Sequence, residues 1–210
     1  MTGAVLAAAW LAVSPAVATV EGIYQLDMPE TASTLILGPG DRFQWGFSQG
    51  ALDLVGEGRW TRHGDRLVLT SDPPVVPPRF IQTGAGDSDI PGLRIEVTND
   101  RGKPAGNLDV AAEYSDGSRE SGFIQGGEYR FEPDPARRIV AMFLGSEIYG
   151  FVSERFPVAE DVTALRFRFE ANDVGKADFQ AVPAAITAEG LDVDWKGTTL
   201  RYARQEPPGR

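Results

Sequence analysis

The segment Gly46-Phe47-Ser48-Gln49-Gly50 matches G-x-S-x-G, the nucleophile-elbow pattern, and Asp53 and His63 follow it in the order serine, acid, histidine. In a nucleophile elbow the serine lies on a sharp turn between a strand and a helix. Here the serine is followed by a glycine-containing stretch and then by Trp60 and another strand-like segment. Because no helix is predicted after it, Ser48 is expected to be a polar residue beside a strand end.

Composition limits the remaining nucleophilic and metal chemistry. The chain has one histidine, His63, and no cysteine, which excludes disulfides, thiol catalysis and zinc sites built from cysteines or several histidines. His63 lies between Arg62 and Gly64 in a predicted hairpin turn, where side chains are usually solvated. We therefore expect no imidazole chemistry.

Acidic residues offer two further candidate sites. Asp87-Ser88-Asp89 contains oxygen ligands, but a calcium loop also needs a closing bidentate carboxylate, and Ile90-Pro91-Gly92 provides none. Glu30, Asp53 and Glu57 could supply the carboxylate pair of a glycosidase, although scattered acids are usually surface charge. The sequence thus predicts no metal, no cofactor, no catalytic residue and no enzyme, and an uncharacterised hydrolase remains as a third functional class.

Aromatic residues are the most informative candidates for a binding site in this sequence. Phe43, Trp45 and Phe47 alternate with polar or small residues, which places them on one face of a strand. The candidate ligand-binding residues are Tyr24, Phe43, Trp45, Phe47, Trp60 and Trp195. They either fill the interior of a small barrel or line a pocket for an apolar or sugar ligand, and alternation does not separate these two interpretations.

The elements that position these aromatics are short strands. The stretch 22–73 shows a period of two, cut by turns at Gly38-Pro39-Gly40-Asp41 and Arg62-His63-Gly64-Asp65, which predicts a meander of five antiparallel strands. Three similar strands are predicted in 184–204. Five and three make eight, the number at which a sheet closes into a small barrel. We predict an all-β protein: an eight-stranded antiparallel barrel formed by both ends of the chain plus an inserted β-sandwich, with two tandem β domains as the alternative.

Domain boundaries follow from composition. Residues 1–18 contain an apolar run, Ala4 to Val13, and an A-x-A pattern at Ala16-Val17-Ala18, which predicts a secretory signal and a mature start at Thr19. We expect a protein exported to the periplasm or the cell exterior, without stable membrane insertion after cleavage. The further divisions are barrel at 19–72, a Pro/Gly-rich linker at 73–92, sandwich at 93–176, closing barrel hairpins at 177–204 and a tail at 205–210. The stretch 145–162 is predicted to be a loop.

Two family resemblances accompany this organisation. The stretch 93–144, with a turn at Asp100-Arg101-Gly102-Lys103-Pro104 and a G-x-Y-x-F segment carrying Tyr129 and Phe131, resembles the transthyretin-like modules found beside carboxypeptidases. The resemblance implies a stiffening or binding role, with Tyr129 and Phe131 in the core. The barrel segments are similar to lipocalins: Gly22-Ile23-Tyr24 takes the place of G-x-W, and Arg201 or Arg204 is expected to pack across it.

Charge and resemblance together define the expected partners. The net charge of -10 disfavours nucleic acids and anionic membranes. The lipocalin resemblance implies a small apolar ligand in the barrel. The alternative is a filled barrel whose inserted sandwich binds an envelope protein or a glycan.

Overall fold

The structure is a computed structural model that describes residues 19–206. The predicted signal segment and residues 207–210 lie outside the described residues. Between 19 and 206 every regular element is a strand, which confirms the all-β class. No helix of this part of the chain has the length and apolarity needed to cross a membrane.

The strands come in three groups along the chain. The first group is β1 (Gly22–Leu26), β2 (Thr31–Gly38), β3 (Arg42–Gln49), β4 (Leu52–His63) and β5 (Arg66–Ser71). The second group is β6 (Arg79–Gly86), β7 (Leu93–Asn99), β8 (Leu108–Tyr114), β9 (Arg119–Ile124), β10 (Glu128–Phe131), β11 (Ile139–Ser146), β12 (Phe151–Val152), β13 (Phe156–Pro157) and β14 (Ala164–Glu170). The last group is β15 (Val182–Ile186), β16 (Gly190–Trp195) and β17 (Thr198–Arg204).

The first and last groups form one closed barrel in the order β1-β17-β16-β15-β5-β4-β3-β2. All neighbouring strands in it are antiparallel. This confirms the barrel made from both ends of the chain and excludes the tandem arrangement. Short turns join β2 to β3 and β4 to β5. They contain Gly40 and Gly64, which have positive φ, as expected for tight connections.

The second group forms two sheets that enclose a separate core. One sheet has the order β10-β7-β14-β6, and the other has the order β12-β11-β8-β9 with β13 also pairing β11. Within the first sheet, β14 runs parallel to β7 and antiparallel to β6. Phe131 is fully buried, and Tyr129 packs on it with the ring centroids 4.9 Å apart. Both residues therefore belong to the sandwich core.

Two loop predictions were wrong in part. The stretch 73–92 contains β6, which pairs with β14 at the edge of a sheet. The sequence of β6 is rich in glycine and mostly exposed, so its pattern shows little apolar alternation. The stretch 145–162 contains β12 and β13, which are two residues each and therefore too short to show a period.

A segment that crosses back from the sandwich to the barrel completes the barrel wall; we call Asp173–Gln180 the crossing segment. The Val55 N–H donates to the Gly175 carbonyl at 2.9 Å, and the Ala177 N–H donates to the Val55 carbonyl at 2.8 Å. Further on, the Ser71 N–H donates to the carbonyl of Phe179 at 2.8 Å. The crossing segment thus runs along the part of β4 that β5 does not reach.

Candidate ligand-binding site

The predicted aromatic residues converge inside the barrel. Tyr24, Phe43, Trp45, Phe47 and Trp60 are buried in one core cluster, and Trp195 packs against it while remaining partly accessible. Trp45 lies 5.5 Å from Phe47 and 5.0 Å from Trp195 between ring centroids. In this arrangement the aromatic rings are each other's packing partners.

Phe179 of the crossing segment is a core aromatic that the sequence reasoning missed. Its ring centroid lies 5.0 Å from that of Phe43 and 5.3 Å from that of Trp45. A Cβ atom added to Gly56 would stand 2.7 Å from the Phe179 ring. Gly56, at an inward position of β4, was the available signal, because a bare inward position leaves room for a side chain from elsewhere.

A chain of hydrogen bonds satisfies polar groups within the core. The Trp45 indole N–H donates to the Tyr202 hydroxyl at 2.7 Å, which donates to the Ser33 hydroxyl at 2.7 Å, which donates to the Gly46 carbonyl at 2.7 Å. Burial raises the pKa of Tyr202, so this hydroxyl keeps its proton. At the rim, the Tyr24 hydroxyl donates to the Val20 carbonyl at 2.7 Å, and burial likewise raises its pKa.

Arg204 lies over Tyr24, as the lipocalin resemblance led us to expect. Its guanidinium carbon is 5.9 Å from the ring centroid. The same side chain donates to the carbonyls of Thr19 and Glu21 at 2.8 and 2.7 Å. Arg204 thus ties the first described residues to the last barrel strand.

Two indole groups in the barrel differ from that of Trp45, whose N–H has an acceptor. Among residues 19–206, the buried side-chain nitrogens without a hydrogen-bond partner are Nε1 of Trp60 and Nε1 of Trp195. A buried donor without an acceptor is destabilising. These two N–H groups would therefore gain from an acceptor supplied by another molecule.

The residues of the nucleophile-elbow pattern do not form a catalytic group. Ser48 and Asp53 face each other across the β3–β4 hairpin, and both are exposed. His63 lies ten residues beyond Asp53 on the same strand, which at the rise of an extended chain is about 33 Å away. A triad requires contact at hydrogen-bond distance, so this geometry does not support one.

The carboxylates do not form a hydrolytic pair either. Glu30 lies in the β1–β2 turn, while Asp53 and Glu57 share the outer face of β4, four residues or about 13 Å apart. Every displaced carboxyl pKa in the described chain is lowered, as for Glu113 beside Arg155. A general acid needs a raised pKa, and no carboxyl group with a displaced pKa provides one.

The candidate calcium loop is tied into the sandwich through its serine. The Ser88 N–H donates to the Thr163 hydroxyl at 2.7 Å, and the Ser88 hydroxyl accepts from the Ile90 N–H at 3.3 Å. Within 19–206 there is no group of three or more histidine, aspartate and glutamate side chains placed to hold a metal ion. Asp87 and Asp89 thus form no ligand set with other acids.

A crevice of about 440 Å³ lies where the sandwich meets the barrel; we call it the junction crevice. Its walls come from β4, the proline-rich stretch 73–78 (the proline connector), the β11–β12 turn, the crossing segment and the β16–β17 turn. The main lining residues are Leu54, Val75, Pro77, Pro78, Tyr149, Phe151, Val174, Lys176, Asp178, Gln180 and Lys196. Apolar side chains form most of these walls, and Asp173, Lys176, Asp178 and Lys196 add charged groups.

Hydrogen bonds fix the walls of the junction crevice. The Asp173 carboxylate accepts from the Val76 N–H at 2.9 Å and pairs with Lys176 at 2.9 Å. The Val76 hydrogen bond and the lysine hold the pKa of Asp173 below its usual value. The Asn172 side-chain amide donates to the Pro77 carbonyl at 2.8 Å. The connector and the crossing segment are therefore bound to each other along the crevice.

Lys196, in the β16–β17 turn, is a further charged residue in the lining of the crevice. Its ammonium lies 4.9 Å from the centroid of the Trp195 ring. Because that contact is with an aromatic face, the ammonium keeps donors for a polar group of a ligand.

Comparison of the chain with protein-family models, curated proteins and solved structures finds no match.

Proposed function

We propose that the protein is an exported, non-catalytic binding protein, in which a lipocalin-like barrel carries a transthyretin-like sandwich and a small ligand binds in the junction crevice. The observation that carries the proposal is the crevice itself, which both domains line with apolar and aromatic side chains. Pockets between domains, mostly apolar and with a few polar groups, are the usual form of small-molecule sites.

The crevice favours a ligand with an apolar body and one anionic or hydrogen-bonding end. Pro77, Tyr149 and Phe151 offer an apolar surface on which rings and alkyl chains pack well. Lys196, which also lines the crevice, supplies an ammonium donor, and Gln180 supplies an amide whose nitrogen donates to Asp178. The volume of about 440 Å³ falls in the range of small-molecule pockets.

The barrel has a supporting role in this proposal. Phe43, Trp45 and Phe179 pack ring against ring, so a guest among them would have to displace side chains from close contacts. The lining residues Leu54 and Lys196 belong to barrel strands or turns. A rigid barrel therefore holds one wall of the crevice in place.

A second candidate is the barrel interior as a carrier site. It is favoured by the unpartnered indole N–H groups of Trp60 and Trp195, which a ligand with a carbonyl or ether oxygen would satisfy. In this alternative the guest lies among the aromatic residues instead of beside the sandwich.

Native mass spectrometry of the chain isolated gently from its own host tests both candidates. We expect a reproducible added mass of small-molecule size, on a chain that begins at Thr19. The two sites are separated by variants: Tyr149→Ala alters the crevice at a side chain that is 37% exposed, and Trp60→Phe removes a buried N–H while keeping an aromatic ring.

The pattern of loss decides between the sites. Loss of the added mass in Tyr149→Ala with retention in Trp60→Phe supports the junction crevice, and the reverse pattern supports the carrier. A wild-type chain that carries no small molecule contradicts both candidates. In that case the sandwich surface, with an envelope protein or glycan as partner, becomes the remaining binding alternative.

A further inference from the structure

A glycine in the middle of β3 leaves a gap on the outside of the barrel. Gly46 faces outward between the buried residues Trp45 and Phe47, and its φ is not positive. A Cβ atom placed on it would meet no heavy atom within 4 Å. Within residues 19–206, neither a turn nor a close neighbour therefore requires glycine here, and a glycine inside a strand often marks a place where a ligand approaches the backbone.

The gap is the floor of a groove of about 450 Å³, which we call the outer groove. Its lining includes Thr34, Ile36, Gln44, Gly46, Val55 and Glu57. Val55 is 59% exposed although it is aliphatic, and Ile36 is 36% exposed. Gly46 lies directly between Thr34 and Val55 across the neighbouring strands. The groove is thus a bare strip of backbone between two exposed aliphatic side chains.

The two charged residues that line the outer groove, Lys176 and Glu57, differ in whether they have a partner. Lys176 is on its rim, but its ammonium is already paired with Asp173 at 2.9 Å. The Glu57 carboxylate makes no hydrogen bond and no ion pair within the described chain, and it interacts with Lys176 at longer range. The groove therefore has one uncompensated negative charge. The net charge of -10 also favours the approach of a cation.

We propose that the outer groove is a binding site for a flat organic cation. A planar apolar ring fits over the Gly46 backbone between Ile36 and Val55, because the missing side chain leaves a flat surface there. The cationic group then lies toward Glu57, whose carboxylate accepts its hydrogen bonds. The Gln44 amide, directly opposite Glu57 on the next strand, offers a further acceptor.

Benzamidine is a suitable probe because it combines a flat ring with a planar cation, and benzamide and benzoate provide its neutral and anionic counterparts. Titration of the labelled full chain is followed by amide chemical shifts. Benzamidine is expected to move the amides of Gln44, Gly46 and Val55 saturably. Benzamide is expected to bind about two- to fivefold more weakly, which is the effect of one exposed ion pair, and benzoate more weakly still.

Three variants make the test specific. Gly46→Val places a branched side chain in the groove, where its Cβ atom meets no described heavy atom within 4 Å, and is expected to abolish the shifts in a folded protein. Ser48→Val, on the same outward face of β3 but outside the groove, is the matched control and should bind as the wild type does. Glu57→Gln keeps the shape and should make benzamidine and benzamide bind equally.

Each contrary result overturns a defined part of the proposal. Equal binding of all three probes to the wild type, or unchanged selectivity in Glu57→Gln, overturns the assignment of a cation. Saturable shifts that persist in Gly46→Val, or that centre on Tyr149 in the junction crevice, overturn the site itself. Absence of saturable shifts with benzamidine overturns the proposal as a whole.

Discussion

The barrel and the sandwich of this chain are held together in different ways. The barrel is closed, so each of its eight strands pairs on both sides, and its interior is built from aromatic rings around Trp45. The sandwich is open, with strands such as β6 paired on one side. Gln82 of β6 is exposed although it lies opposite the buried Phe167.

The sandwich, whose edge strands pair on one side only, carries ion pairs on its outer faces. Arg94 binds Glu128 through two hydrogen bonds of 2.9 and 2.8 Å, and Arg79 binds Glu170 at 2.6 Å. Ten ion pairs lie within the sandwich strands and their turns, whereas Asp72 pairs with Arg42 and Arg59 on the barrel. The barrel therefore depends mainly on its interior, whereas the sandwich depends in addition on its charged surface.

The two regions meet in the crossing segment, which follows the sandwich but packs into the barrel. Ser71 at the end of β5 exchanges hydrogen bonds with Phe179 at 2.8 and 2.9 Å. The entry and exit of the inserted sandwich are thus tied together. This contact holds the two ends of the insertion together, so that β5 and β15 pair in the closed barrel although more than a hundred residues separate them.

The largest expected effect comes from emptying the barrel at this contact. Phe179→Ala removes a ring that is 1% exposed and touches Phe43 and Trp45. The unfolding free energy should fall by about 3–5 kcal/mol, as for other buried aromatic truncations. Urea denaturation followed by tryptophan fluorescence measures it, since Trp45, Trp60 and Trp195 all lie in the barrel.

The matched control for this change is in the sandwich. Phe123 is 45% exposed, so Phe123→Ala should change the unfolding free energy by no more than about 0.5 kcal/mol. If Phe179→Ala and Phe123→Ala cost the same, the crossing segment would not be part of the barrel core, and the contrast between the two regions would fail.

A smaller effect is expected from the hydroxyl at the centre of the barrel network. Tyr202→Phe removes the oxygen that accepts from Trp45 and donates to Ser33. The Trp45 indole would become a third buried donor without a partner, and the cost should be about 1–3 kcal/mol. Tyr129→Phe in the sandwich, where the ring packs on Phe131, should be close to neutral in the same denaturation assay. An equally small change for Tyr202→Phe would contradict the network.

The sequence predicted those parts of the fold that depend on local alternation. Phe43, Trp45 and Phe47 alternate within one strand, so their common inward face could be read directly. Phe179 lies in a segment without alternation, and its burial depends on space left by Gly56, which is far away in the chain. Periodicity identifies the face of a strand but not the distant segment that covers it.

The candidate sites show the same limit more strongly. The junction crevice joins Leu54, Pro77, Tyr149 and Lys196, whose proximity depends on how two domains pack. The outer groove depends on Gly46, which in sequence belonged to a nucleophile-elbow pattern. The absence of cysteine from the sequence excludes cysteine chemistry, but no local pattern indicates which surfaces come together.

The smallest expected effect tests the charged surface of the sandwich by pH. Arg94 lowers the pKa of Glu128, and Arg79 lowers that of Glu170. The stabilisation is therefore fully present above the ordinary glutamate pKa of 4.5 and is lost as the pH falls through the lower folded-state value. Between about pH 5 and pH 3, hydrogen exchange should show β7 and β14 losing protection before the barrel strands, and about 1 M salt should reduce this difference.

A double variant separates these ion pairs from the general effect of acid. Arg94→Gln with Glu128→Gln removes both charges of one pair while keeping polar side chains at both positions, so the acid-dependent loss of protection in β7 and β10, which these residues link, should become shallower. Asp72, whose pKa is lowered by Arg59 and Arg42, gives the barrel one comparable group. If the barrel strands lose protection over the same pH range as strongly as the sandwich, then surface charge does not distinguish the two regions, and the difference between them lies in their cores alone.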